Sequence, residues 1–130
     1  MNGLHLDQLK FETDTWRRVL NFISDENAFL KSRFSSILKT DCDVRLMDDF
    51  ESFQNQFVGV DAAILAYKKG LTELEKDCFD DGLDAKMEWA DRVNRVSKLK
   101  DSIVQLQKSV FLLIWDFHRF LDNDLLFPSK

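Results

Sequence analysis

Proline and glycine are nearly missing from this chain. Its one proline, Pro128, stands close to the C-terminal end, and only four glycines occur in 130 residues. Turn-rich β structure draws on both, so this composition favours helices that run long before they break. Histidine is as scarce: His5 and His118 are the only two, and no glutamate has a histidine three residues on. That excludes the Glu-x-x-His pairs of di-iron bundles and any iron site built from several histidines. The two cysteines, Cys42 and Cys78, are isolated from each other, so no Cys-x-x-Cys zinc motif exists. On a continuous second helix they would stand tens of Å apart, too far for a disulfide, and both are expected as reduced thiols.

Catalytic and membrane signals are missing too. No glycine loop of the phosphate-cradling kind occurs. A nucleophilic triad would have to use one of two histidines, and Asp116 and His118, two apart on a helix, do not face each other. The longest apolar run, Val110 to Trp115, is six residues, whereas a membrane helix takes about 20. The first residues, MNGLHLDQLKFE, lack the basic-then-apolar order of a secretory signal. The expectation is a cytoplasmic protein with no catalytic residues, no cofactor, no metal and no membrane partner.

What is abundant is phenylalanine, twelve in all, within a hydrophobic content of 45%. That is enough apolar material for one continuous, aromatic-rich core in a single domain spanning 1–130. The net charge of -5 opposes nonspecific binding to nucleic acid or anionic lipid. Arg92, Arg95, Lys98 and Lys100 form a local basic stretch, but Glu88, Asp91 and Asp101 interleave with it. It reads as a solvated helix face, and no nucleic-acid partner is expected.

Apolar residues recur at alternating spacings of four and three, the period of an α-helical seam. From Leu46 to Cys78 the two interleaved series are Phe50, Phe57, Ile64, Leu71, Cys78 and Leu46, Phe53, Val60, Tyr67, Leu74. Before it, Leu9, Trp16, Ile23, Leu30 and Ile37 alternate with Thr13, Leu20, Asn27 and Phe34. After it, Trp89, Val96, Ile103, Val110 and Phe117 alternate with Arg92, Leu99, Leu106, Leu113 and Phe120. These patterns predict helices over about 6–39, 44–79 and 83–121, with an irregular tail over 122–130. Thr40, Asp41 and Asp43 stand ready to cap the second helix, and Asp80, Asp81 and Gly82 form the second turn. The acidic start of the second helix reads as capping, since the spacing and central glycine of a calcium loop are missing.

Short turns between helices of similar length predict an all-α, up-down-up antiparallel bundle of three long helices. Folding at the turns sets approximate layers: Thr13 with Leu71 and Arg92, Trp16 with Tyr67 and Val96, Asn27 with Phe57 and Leu106. Three seam positions are polar or charged: Thr13, the mildest, with Asn27 and Arg92. Asn27 either fixes the register by finding one partner or rotates to a solvated edge. Arg92 is expected to snorkel outward or to pair with Glu12, Asp14 or Glu75. In periodicity the chain resembles three-helix coiled-coil bundles of the spectrin-repeat kind, a likeness of architecture that transfers no functional residues.

Two helices carry more apolar surface than one seam uses. The surplus comprises Val19, Phe22 and Phe29 on the first helix, with Val104, Phe111, Ile114, Trp115 and Leu121 on the third and His118 among them. These faces either pack on each other within the chain or meet a second chain. The functional expectation is a non-catalytic interaction or scaffold module, a homodimer or a partner of another protein. Its interface would be Val19, Phe22, Phe29, Phe111, Ile114, Trp115, His118 and Leu121. The alternative is a site for a small apolar ligand at the end where Phe34, Phe50, Phe53, Phe111, Phe117 and Phe120 are expected to gather, with His118 as its polar contact. An enzyme ranks third.

Overall fold

The computed structural model describes residues 3–40, 43–78 and 88–126. Among them the chain forms three long helices and no strand: α1 (Gly3–Thr40), α2 (Met47–Cys78) and α3 (Trp89–Phe120). They pack against one another as a three-helix bundle, as the seam patterns require. A single 3-10 turn, Val44–Leu46, leads into α2. Asp43 caps it, its carboxylate accepting from the Arg45 backbone N–H at 2.9 Å. The helical path therefore begins at the expected residue, in the tighter geometry common at helix ends.

Glu88 is extended and stands as the N-cap of α3, the Asp91 and Arg92 N–H groups donating to its carbonyl at 3.1 Å. The expected start at Leu83, the Asp80-Asp81-Gly82 turn and Cys42 lie outside the described residues. At the other end the structure corrects the expectation of an irregular tail. A π-helical turn, Leu121–Leu126, continues straight from α3. Nothing before Pro128 removes a backbone donor there, and burying Leu121 in the core favours carrying the helix on. The side chains of Leu125 and Leu126, and all of Phe127, lie outside the described residues, so the expected fold-back of this tail is not part of the picture.

The seams fill the core. Leu20, Ile23, Leu30 and Phe34 from α1 meet Phe50, Phe57, Ile64 and Leu71 from α2 and Ile103, Val110, Leu113 and Phe117 from α3 in one continuous cluster. Leu9, Leu74 and Val96 close the other end. Full burial of each such side chain is worth about 1.5–3 kcal/mol, so nearly every turn of every helix contributes. At the aromatic end, Phe57 and Phe117 meet edge to face at 5.5 Å, Phe34 and Phe57 at 5.5 Å, and Phe53 and Phe117 at 5.3 Å. Offset and T-shaped contacts suit the ring quadrupole, and they add to the area term.

Cross-helix contacts give the register. Asn27 Nδ2 donates to the Phe57 carbonyl at 3.1 Å, placing those two residues in the layer expected for them. Thr13 stands beside Glu75, one turn from the expected Leu71. Val96 packs with Leu9 and Leu74 and not with Trp16, a shift of similar size. As α1 advances α2 recedes, so α1 and α3 run parallel.

Candidate interaction surface

The structure divides the surplus apolar residues into two groups. Leu121 is 7% exposed and belongs to the core, while Val19 and Ile114 are half-buried against it. Phe22, Phe29, Phe111 and Trp115 remain 54%, 67%, 50% and 67% exposed. His118 is exposed beside them. Intramolecular packing of α1 against α3 therefore does not cover these four rings.

Helical geometry explains why. At 3.6 residues per turn, Phe11, Phe22 and Phe29 fall within about 20° of one another around α1, and roughly 150° from the mean direction of Leu20, Asn27 and Phe34. No rotation of α1 buries both stripes. On α3, Val104, Phe111 and Trp115 form a second stripe, roughly 120° from Ile103, Val110 and Phe117.

Both stripes lie on the same outer face. Arg17 pairs with Glu75, and Lys31 with Asp61, so those side chains mark the flank of α1 that faces α2. The rings of Phe22 and Phe29 project from the opposite half of α1. On α3, Arg95 pairs with Asp77 and Phe120 packs on Phe50 and Phe53, marking its α2 flank. Lys100 sits over the Trp16 ring at 5.8 Å and marks the α1 flank. Phe111 and Trp115 continue outward from that flank. The result is a shallow groove with Val19 and Ile114 in its floor and four exposed aromatic rings on its rims. Leu112, 65% exposed, stands on the far side of α3 and outside this groove.

The Phe-rich end differs from the expected ligand pocket. Phe34, Phe50, Phe53, Phe117 and Phe120 are buried and packed edge against edge, with Phe57 among them. Phe111 does not join them, and His118 is exposed outside.

Asn27 is completely buried. Its amide uses both N–H donors, one on the Phe57 carbonyl and one on Asp61 Oδ1 at 2.8 Å. Lys31 holds the other carboxylate oxygen of Asp61. The solvated-edge alternative for Asn27 is thus corrected. Partial burial pushes the Asp61 carboxyl up, but the hydrogen bonds from Lys31 and Asn27, with the Lys31 charge, outweigh it and leave it below the usual carboxylate range. Of the two expectations for Arg92, outward snorkelling is corrected, since the residue is only 6% exposed. The buried Thr13 hydroxyl donates to the Lys10 carbonyl at 2.9 Å, which satisfies it within its own helix. Nor do the basic residues of α3 form one solvated stripe. Of the four residues of the basic stretch, Arg92 is buried, Arg95 is paired with Asp77, Lys100 lies on Trp16, and only Lys98 is exposed.

Among the described residues no group of histidine, cysteine, aspartate and glutamate side chains comes together to hold a metal, and no helix is long and apolar enough to cross a membrane. No protein family, curated protein or solved structure matches this chain.

Proposed function

We propose that this chain is a non-catalytic, cytoplasmic interaction module that pairs, coiled-coil fashion, with a second copy of itself through the outer face of α1 and α3. The observation that supports this most directly is the exposure of Phe22, Phe29, Phe111 and Trp115 along one groove. Exposed aromatic rings scattered singly need no explanation, whereas a contiguous set rimmed by polar groups is what a protein contact uses. Aromatic side chains are also the residues on which binding energy concentrates.

The test is absolute mass by light scattering over a hundredfold range of concentration. Self-association through this face gives a mass of about 30 kDa, twice the 15.3 kDa chain. Trp115→Glu and Phe29→Glu return it to a single chain while the helical circular dichroism stays unchanged, because neither ring contributes to the core. A wild-type mass of 15.3 kDa at every concentration overturns self-association and leaves the face to a different protein.

A further inference from the structure

We propose that the second copy meets this face in parallel, with the two-fold axis running along the bundle, so that α1 of each copy lies in register against α3 of the other. This rests on the self-association reading and adds its geometry.

The outer stripe of α1 reads Phe22, Glu26, Phe29, Arg33, and that of α3 reads Val104, Lys108, Phe111, Trp115. Both follow the spacing four, three, four, and each member of one stands at the same offset along the chain from its counterpart in the other. The fold sets the two helices side by side at that offset to within two residues, since Phe34 packs on Phe117 at 6.3 Å and Lys100 lies over Trp16. Counterparts therefore sit at equal heights on the groove.

Rotation about an axis parallel to the helices leaves height unchanged. In such a dimer Phe22 meets Val104 of the other copy, Glu26 meets Lys108, Phe29 meets Phe111, and Arg33 meets Trp115. Apolar groups face apolar groups, acid faces base, and a guanidinium faces the strongest cation-binding ring. Two-fold symmetry makes each of these contacts twice. Among the described residues Glu26, Arg33 and Lys108 take no part in the ion pairs. All three are available. An antiparallel pairing would instead set α3 on α3, whose stripe from Val104 to Trp115 has no acid to meet Lys108.

Area is consistent with this arrangement. Each exposed ring offers roughly 100 Å², about half of an aromatic side chain's surface. Four such rings supply about half of the ~800 Å² per partner that a standard interface buries. Val19, Val104, Ile114 and the aliphatic stems of Lys108 and Arg33 provide the rest.

The experiment uses the single charge reversals Glu26→Lys and Lys108→Glu, each checked for wild-type helical circular dichroism. Alone, each sets like charges opposite one another twice and weakens the dimer by about tenfold or more. Mixed in equal amounts, the two variants form a heterodimer in which both pairs are again acid against base, read by native mass spectrometry with one variant carrying a mass tag. Glu26→Gln and Lys108→Gln, mixed in the same way, restore only one of the two acid–base pairs in the heterodimer and recover less than the reversals do. If wild type is a dimer and Trp115→Glu is a single chain, yet the reversals have no effect or their mixture fails to recover, the parallel register is wrong and self-association stands. If wild type never exceeds the mass of one chain, both fall.

Discussion

Asn27 of α1 donates to the backbone carbonyl of Phe57 in α2, across 3.1 Å of fully buried seam. A carbonyl in the middle of a helix already accepts from its own helix, so this bond uses the second lone pair and depends on the axial position of α2 relative to α1. Sliding either helix by one turn would take the amide away from Asp61 and set it against Phe53 or Ile64. Such a group lowers stability while penalising every register but one.

From this follows a difference between two substitutions. Asn27→Ala removes the bonds and leaves a void, and is expected to cost about 1–3 kcal/mol in denaturant unfolding. Asn27→Leu fills the void, and the Oδ1 atom, which has no partner in the fold, no longer needs one. It should match or exceed wild-type stability. If Asn27→Leu were as destabilising as Asn27→Ala, the amide would be a net stabilising contact and its role in register would lose its basis.

Two glycines in α2 offer a test of helix propensity against packing. Both lie inside the helix, and among the described residues no glycine has positive φ. A Cβ at Gly59 would meet nothing within 4 Å, whereas one at Gly70 would stand 3.4 Å from both terminal carbons of Leu99. Gly59→Ala should therefore raise stability by the full propensity difference of about 1 kcal/mol. Gly70→Ala should gain less, because Leu99 has to shift slightly to accept it. Thermal unfolding of the two variants side by side checks the order; a larger gain at Gly70 would contradict the packing seen around Leu99.

The fold was legible because a heptad seam fixes which residues share a stripe, and the three seams run almost without interruption. Phe57, Ile103 and Leu20 lie where their series put them, at the centre. The surface was harder to read. Period alone places Phe29 and Trp115 on second stripes, but whether a neighbouring helix covers such a stripe depends on how far each helix is rotated about its axis. Packing against α2 sets that rotation. Arg92 illustrates the same gap: its position in the seam was clear, but its burial at 6% exposure depends on that same rotation. The continuation of α3 into a π-helical turn has no periodic signature in six residues, though the absence of any breaker before Pro128 was visible.

Asp61 sets the last expectation, one of pH. Its carboxyl lies below its ordinary value in the fold because Lys31 and Asn27 donate to its charged form against the opposing effect of partial burial. A carboxylate depressed on folding contributes stability that is fully present above its unfolded value, close to 3.8–3.9, and is lost as pH falls through the lower folded value. The side chain is 42% exposed, so solvent screens the pair and the contribution is modest. Between neutral pH and about pH 5 the Asp61 contribution should be flat, and below about pH 4 it should decline. Asp61→Asn removes the titrating group while keeping an acceptor for Asn27, so the variant should lose less stability than wild type over that acid range. Parallel slopes for the two proteins below about pH 4 would show that Asp61 titrates alike in folded and unfolded chains, and that the contact with Asn27 and Lys31 does not favour its charged form.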